Sequence, residues 1–248
     1  MKKRWGMAID QNRCVGCWTC AVACKSINNE PLGIHWNRVL TSRPNENAPA
    51  AEPATQAIDV PNGTFPHVQL AYRPTACQHC RNAPCEKACP VGATFRRDDG
   101  IVLVDLERCI GCRYCMAACP YGARSFNWEK GQYEPDFPVG YGQSYRTEGR
   151  LVFTPTRPVG VAEKCTFCVE RLDTGKKPLC VEACPAGARL FGDLNDPDSD
   201  VSIAVQQQGG RQLLSELGTD GSVFYLPVSR PNKMRVLERG GTSDDNSK

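Results

Sequence analysis

The sequence predicts an α+β protein of two small lobes with long loop insertions, held together around cysteine residues instead of one large apolar core. Three observations predict this fold class: sixteen of the 248 residues are cysteine, the cysteines fall into four groups of four, and the groups repeat along the chain. Only 8% of the residues are aromatic, whereas 22 are glycine and 19 are proline. A chain with so little bulky apolar material needs another source of cohesion, and metal sites or disulfides commonly supply it.

The four groups, called quartets here, differ mainly in one gap. Quartets one and three read C-x2-C-x2-C-x3-C, while the middle gap lengthens to four residues in quartet two and to eleven in quartet four. The first spacing is the bacterial ferredoxin pattern, in which three close cysteines bind one iron-sulfur cluster and the fourth binds a neighbouring cluster. The quartets are, in order, Cys14, Cys17, Cys20 and Cys24; Cys77, Cys80, Cys85 and Cys89; Cys109, Cys112, Cys115 and Cys119; and Cys165, Cys168, Cys180 and Cys184.

A disulfide scaffold and a set of structural zinc sites are the two alternatives for so many cysteines. Disulfide frameworks do not usually repeat C-x2-C pairs, and we expect no cleavable signal peptide because only five uncharged residues separate Arg4 from Asp10. Zinc sites use C-x2-C pairs but need neither a third cysteine at the same spacing nor a fourth before proline. Three quartets end in Cys-Pro-x-Gly-Ala, at 89–93, 119–123 and 184–188. The pattern therefore favours iron-sulfur clusters.

Internal repeats indicate how the quartets pair. Residues 9–17 align with residues 104–112, so quartets one and three are copies 95 residues apart, and quartets two and four share their Ala-Cys-Pro-x-Gly-Ala ending. Only 19 residues separate Cys89 from Cys109, and they include the apolar run 100–105, which predicts a strand. This is the compact linker of a two-cluster ferredoxin, so we expect quartets two and three to share one lobe and quartets one and four to form the other.

The sequence thus predicts two ferredoxin-like lobes, a duplicated two-cluster bacterial ferredoxin. We assign residues 1–42 and 157–226 to the first lobe, 67–126 to the second, 43–66 and 127–156 to insertions, and 227–248 to a polar C-terminal tail. Exchange of the fourth ligand inside each lobe predicts four [4Fe-4S] clusters. Their ligand sets are Cys14, Cys17 and Cys20 with Cys184; Cys165, Cys168 and Cys180 with Cys24; Cys77, Cys80 and Cys85 with Cys119; and Cys109, Cys112 and Cys115 with Cys89.

Composition and motifs exclude several other functions. The net charge of +3, from 30 Lys and Arg against 27 Asp and Glu, is too balanced for a nucleic-acid-binding protein. No aliphatic run approaches the roughly 20 residues that cross a bilayer, so we expect no membrane anchor of the chain's own. Neither a dinucleotide fingerprint nor a phosphate-binding loop is complete, and no radical-enzyme cysteine motif occurs. We therefore expect electron transfer without catalytic residues.

The order and spacing of the quartets resemble the four-cluster electron-transfer subunit of the dimethyl sulfoxide reductase family of molybdenum enzymes. The resemblance covers roughly residues 5–226, and within the family it points to the small subunit of respiratory arsenate reductase and its relatives. The residues that carry this last likeness are Gly-Ile-His-Trp at 33–36, Glu-Lys-Cys-Thr-Phe-Cys at 163–168 and Gly-Asp-Leu-Asn-Asp-Pro at 192–197. Polysulfide, tetrathionate, thiosulfate and dimethyl sulfoxide reductases have similar subunits.

The resemblance implies a large molybdopterin catalytic subunit as the partner. Some relatives replace the second cysteine of quartet three by tryptophan and hold a three-iron cluster there; Cys112 occupies that position here, so four [4Fe-4S] clusters are expected. A link to the quinone pool would require a separate membrane quinol-linked subunit or a cytochrome. Large subunits of the family often carry a signal and export the small subunit with them, which implies an extracytoplasmic location, with a cytoplasmic complex as the alternative. The rival function is a free-standing polyferredoxin.

A few further residues attract attention. Among the three histidines, His35, His67 and His79, none is needed as a ligand when every cluster has four thiolates, although His79 lies between two cysteines. Arg113 and Lys164 adjoin cysteines, and a positive charge there favours the reduced, more negative cluster. The aromatic residues of the insertion at 127–156 are expected either to pack on the chain or to form an interface.

Overall fold

The computed structural model of the protein describes residues 2–42, 71–129 and 143–227 and shows an α+β fold of short elements. The strands are β1 (Trp5–Asp10), β2 (Arg38–Ser42), β3 (Ala71–Thr75), β4 (Thr94–Arg96), β5 (Val102–Val104), β6 (Ser125–Phe126), β7 (Tyr145–Thr147), β8 (Arg150–Phe153), β9 (Ala162–Glu163), β10 (Arg189–Asp193) and β11 (Val223–Leu226). The helices are α1 (Thr19–Asn28), α2 (Pro84–Lys87), α3 (Tyr114–Ala117), α4 (Val169–Leu172), α5 (Leu179–Glu182) and α6 (Asp200–Gln207), and a 3-10 turn spans Ser215–Leu217.

The largest sheet has the order β10-β1-β11, with β1 antiparallel to β10 and parallel to β11. The first five residues of β1 form a continuous apolar run, which suits a strand covered on both faces. Met7 and Ile9 face the main core, whereas Ala8 packs against Val201 and Ala204 of α6. α6 begins where the Ser199 hydroxyl accepts a hydrogen bond from a backbone N–H three residues on, which satisfies one of the free donors of the helix end.

Paired strands link each quartet to the next one along the chain, and the last quartet back to the first. Each quartet lies between two strands, and the strand that leaves one quartet pairs antiparallel with the strand that enters the next: β2 with β3, β4 with β5, and β6 with β9. The pairing of β10 with β1 then brings the end of quartet four to the start of quartet one. The predicted strand at 100–105 is found as β5, and its partner β4 had no sequence signal of its own.

The structure describes part of one predicted insertion and none of the other. The insertion at 43–66 lies outside the described residues. In the insertion at 127–156, β7 and β8 form an antiparallel hairpin, and Phe153 is buried in the core while Trp128 is 63% exposed. Tyr133, Phe137 and Tyr141 of this insertion lie outside the described residues, as do residues 228–248 of the polar tail.

A buried ion pair joins three parts of the chain. Arg157 and Glu163 form a salt bridge in which the side chains are 2% and 1% exposed. The Arg157 guanidinium also donates to the backbone oxygen of Asn28 and lies over the ring of Trp36, 4.6 Å from its centroid. Glu163 accepts a second hydrogen bond, of 2.9 Å, from the Asn127 side chain. The pair therefore fixes the end of α1 against the segment that leads into quartet four.

No helix in the part of the chain that the structure describes is long and apolar enough to cross a membrane.

Candidate functional site

The sixteen cysteines line four cavities. We number the cavities by their cysteines: the first is lined by Cys14, Cys17, Cys20 and Cys184; the second by Cys24, Cys165, Cys168 and Cys180, and also by Cys77; the third by Cys77, Cys80, Cys85 and Cys119; and the fourth by Cys89, Cys109, Cys112 and Cys115. Each predicted ligand set lies at one cavity. A set takes three cysteines from one quartet and the fourth from another, so the structure brings together residues up to 170 positions apart.

Short helices present the third cysteine of every quartet. Cys20, Cys85, Cys115 and Cys180 are each the second residue of a helix, in α1, α2, α3 and α5. α1 packs against α5, and α2 packs against α3. The first and second cavities therefore adjoin one helix pair, and the third and fourth cavities adjoin the other.

The loops between the first two cysteines of the quartets are built in two ways. Quartets one and three have Gly16 and Gly111 there, at positive φ, in a backbone conformation that glycine adopts without strain. Quartets two and four have His79 and Phe167 in the same conformation, with φ of 44° and 56°. These two rings stack with centroids 3.7 Å apart and are both buried, so the central loops are packed against each other.

Backbone N–H groups surround the cysteine sulfurs at equivalent places. His79 and Phe167 donate to the Sγ atoms of Cys77 and Cys165, each across 3.4 Å. Near the Cys-Pro-x-Gly-Ala endings, Ala93 donates to the Cys89 sulfur at 3.2 Å and Ala188 donates to the Cys184 sulfur at 3.3 Å. Such bonds stabilise negative charge on sulfur, which is the state in which cysteine binds metal.

The cysteine sets border spaces and do not converge on single points. Among the described residues, no three His, Cys, Asp or Glu side chains are placed to hold one metal ion. A tetrahedral zinc site brings its sulfurs to about 2.3 Å from one atom. Four thiols around a cavity suit instead a cluster of several irons, each iron bound by one cysteine.

Comparison with known proteins supports 4Fe-4S clusters as the bound groups. Two models of the 4Fe-4S dicluster domain match the chain, one over residues 68–135 and the other twice, over residues 13–93 and 108–188. A Halobacterium salinarum protein, named as a candidate iron-sulfur subunit of dimethyl sulfoxide reductase, is 45% identical over 98% of this chain and 88% of its own length.

Two further relatives are named for other reductases. A selenate reductase subunit of Mesobacillus selenatarsenatis is 39% identical, over 90% of this chain and 72% of its own length. The arsenate respiratory reductase iron-sulfur subunit of a Shewanella strain is also 39% identical, over 90% of this chain and 96% of its own. The chain belongs to the family of molybdoenzyme iron-sulfur subunits. Its members are electron-transfer subunits of oxidoreductase complexes and not the catalytic subunits, which confirms the predicted role.

Buried thiols of this iron-sulfur subunit resist ionisation on their own. Burial raises the pKa of Cys24 well above its ordinary value, and it raises the pKa of Cys80 and of Cys165 to about 12. Neighbouring cysteine charges act in the same direction. These thiols would lose their protons on binding the iron of a cluster, which supplies positive charge beside the sulfurs, so cluster binding would be coupled to proton release and to folding.

Of the residues predicted to influence the clusters, two lie at a cavity. Lys164 is buried, lines the third cavity, and donates to the Cys165 carbonyl at 2.8 Å and to the carbonyl of Val102. Arg113 lines the fourth cavity, but its guanidinium lies over the Trp128 ring, 4.6 Å from the centroid. His79 accepts a hydrogen bond from Val102 N on Nδ1, and burial, assisted by Lys164, holds the pKa of His79 far below its ordinary value. The ring is therefore neutral.

Of the other two histidines, the structure describes only His35. His35 is exposed and lines none of the four, and burial with the nearby positive charges of Lys25 and Arg38 lowers its pKa. His67 lies outside the described residues.

Sequence reasoning missed the two residues that lie between cavities. Arg124 lines both the third and the fourth cavity, and Arg189 lines both the first and the second. A signal was present, because each arginine directly follows a Cys-Pro-x-Gly-Ala ending. The three guanidinium nitrogens of Arg124 are buried without a hydrogen-bond partner among the described residues. A buried cation in this position fits an anionic group in each cavity, as a thiolate-bound cluster would be.

Proposed function

We propose that the protein relays single electrons through four [4Fe-4S] clusters, one in each cavity, to or from a molybdopterin catalytic subunit of a respiratory oxidoreductase. The ligands would be the four cysteine sets that line the first, second, third and fourth cavities. A bound [4Fe-4S] cluster accepts and releases one electron without making or breaking a bond to substrate. The protein's own contribution is to hold such groups in order and to control their potentials.

The observation that carries this proposal is the continuous order of the cavities. The first and second cavities share Arg189, the second and third share Cys77, and the third and fourth share Arg124. The row ends near two exposed cysteines, Cys17 in the first cavity and Cys112 in the fourth. Electrons would therefore enter near one exposed end and leave near the other.

The same arrangement supports two ferredoxin-like lobes. One lobe would hold the first and second cavities, with residues 1–42 and 157–226, and the other would hold the third and fourth cavities, with residues 67–126. The packing of α1 on α5 and of α2 on α3 supports this division. The lobes meet where His79 stacks on Phe167.

Two partners would be needed, one at each end. One is the large molybdopterin subunit, and the other a membrane quinol-linked subunit or a cytochrome. The relatives named for selenate and arsenate reductases share the same 39% identity, so identity favours neither substrate for this chain. We place the complex outside the cytoplasm, exported with a signal-bearing partner, because this is typical of the family; recovery of the complex in the cytoplasmic fraction would contradict that location.

The test is anaerobic purification of the tagged chain from its native host, followed by molybdenum and iron analysis. We expect a large subunit in stoichiometric amount, with molybdenum bound to it, and reduced clusters that are reoxidised when the complex's oxyanion or sulfur substrate is added. A chain that purifies alone with its clusters filled, and exchanges electrons with soluble enzymes only, would instead be a free-standing polyferredoxin.

A further inference from the structure

Arg124 and Arg189 occupy equivalent places in the molecule. Each lies five residues after the fourth cysteine of its quartet, Cys119 or Cys184. Each is buried, with 6% and 4% of its surface exposed, and each lines the two cavities of one helix pair. Quartet two has Thr94 at this position, so each pair of cavities receives one arginine.

Arg189 contacts one cysteine from each neighbouring cavity. Its Nη2 lies 3.5 Å from the Cys20 sulfur of the first cavity, and its Nη1 lies 3.7 Å from the Cys180 sulfur of the second. Asn37 orients the guanidinium by accepting a 2.8 Å hydrogen bond on Oδ1, and the Asn37 amide donates to the Cys20 carbonyl at 3.0 Å. The cation is thus held between the third cysteines of quartets one and four.

Arg124 lies in the corresponding place in the other pair. It lines the third cavity together with Cys85 and the fourth together with Cys115, again the third cysteines of their quartets. Its three guanidinium nitrogens are buried without a hydrogen-bond partner among the described residues, so the charge is left for groups in the two cavities. Because an arginine side chain does not lose its proton in proteins, the charge is present at every working pH.

We propose that each arginine is a shared positive charge that raises the reduction potentials of the two clusters beside it, so that the clusters are tuned in pairs. This rests on the proposed function. Adding an electron to a cluster increases its negative charge, and a fixed cation in a poorly solvated interior lowers the free energy of that reduced state. Since the cation lies between two cavities, it also reduces the repulsion between two reduced clusters. One electron is gained per cluster, and no proton or bond changes.

A purely structural role makes a different prediction. In that case the arginine would only hold together the two helices that carry the third cysteines. Its loss would then weaken cluster retention without changing the reduction potentials of the two clusters beside it. Potential and cluster content measured together separate the two roles. A missing charge lowers the potentials of clusters that stay bound, whereas a loosened helix pair loses its clusters.

The experiment uses the full chain in its complex, as wild type and as R189Q, R124Q, R189K and R124K variants. R211Q is the matched control, because Arg211 is exposed and lines none of the four cavities, yet its loss changes the net charge equally. Iron and sulfide are measured first, and the clusters are then titrated with a series of mediators while EPR follows each transition.

We expect two of the four transitions to move to lower potential in R189Q and the other two to move in R124Q. The expected size is at least about tenfold in the equilibrium constant for one-electron reduction, which corresponds to about 59 mV. The lysine variants should recover most of the shift, and R211Q should show none. A glutamine variant could also lose two of its clusters. If the lysine variant at the same position keeps them, that result also supports the role of the positive charge.

Several results would overturn the proposal. It fails if all four transitions shift alike, if none shifts, or if both glutamine variants move the same pair. Loss of clusters in the glutamine and lysine variants together would assign the arginine to assembly alone. A wild-type chain without its full iron content would instead refute the proposed function, which keeps the two failures distinguishable.

Discussion

Removing Arg157 should leave Glu163 as an uncompensated charge in the interior. The two side chains are 2% and 1% exposed, so water cannot replace the lost partner. Breaking a buried pair by removing one member costs about 3–5 kcal/mol, whereas exposed pairs contribute about 0–1 kcal/mol. For R157M we therefore expect the population of opened protein to rise by about 100- to 4,000-fold. The matched control is R146M, since Arg146 pairs with Glu107 at 51% and 55% exposure.

The assay is the rate at which the visible absorbance of the clusters bleaches in a fixed concentration of guanidinium chloride. Loss of clusters makes unfolding irreversible, so a rate is measured instead of an equilibrium. That rate follows the opened population as long as reclosing is faster than cluster loss. The double variant R157M/E163M should bleach at nearly the wild-type rate, because an apolar pair can replace a buried ion pair at little cost.

The pH dependence gives a second readout of the same pair. Burial already raises the pKa of Glu163, and Arg157 and Asn127 oppose that rise. Without Arg157 the folded-state pKa rises further above the unfolded value, so the folded variant binds the proton more tightly than the unfolded chain does. The defect of R157M should therefore be smallest near pH 5 and grow as the pH rises. Bleaching of R157M within fivefold of wild type at pH 8, or a double variant as fast as R157M, would refute this reasoning.

Two further predictions concern the cluster sites. C24S and C168S should alter the same EPR signal, because both cysteines line the second cavity although they belong to quartets one and four. If the two variants alter different signals, the exchange of the fourth ligand is contradicted. G111A should destabilise the fourth cavity, since an added Cβ would lie 2.3 Å from a backbone oxygen, whereas G149A, at a similar positive φ but with nothing within 4 Å, carries the backbone strain alone. We expect about 1–3 kcal/mol more loss of stability in G111A, seen as faster bleaching, and equal rates in the two variants would disprove the clash.

Local spacing accounts for the part of the site that the sequence predicts. Three cysteines within seven residues can be assigned to one cluster because the chain between them is too short to reach elsewhere. The short linker between Cys89 and Cys109 then indicates which quartets are neighbours. Each predicted set of four cysteines lies at one cavity, and Cys77 also lines a second. The strand at Val102–Val104 was predictable because its apolar residues form one short continuous run.

The remaining features depend on contacts between distant segments. β6 and β9 are two residues long, which is too short for any periodicity to be read. His79 and Phe167 stack only because quartets two and four, 88 residues apart at these rings, meet at the centre of the molecule. Arg189 lies between two cavities because β10 pairs with β1. These strands are far apart in the sequence, so no local sequence pattern predicts their pairing.

The aromatic insertion shows the same limit. Phe153 and Trp128 are both large apolar residues in Gly-rich and Pro-rich sequence, yet one is buried and the other is exposed. Phe153 is the last residue of β8, whereas Trp128 lies outside the hairpin, two residues after β6, and composition does not record this difference in position.

The central claim is that each four-cysteine cavity holds one [4Fe-4S] cluster and that the four form a single chain of electron carriers. Its most direct test is the iron and acid-labile sulfide content of the anaerobically purified complex, together with EPR of the dithionite-reduced sample. We expect about 16 iron and 16 sulfide per chain and a spectrum broadened by interaction between neighbouring clusters. About four zinc ions per chain with no sulfide would contradict the account.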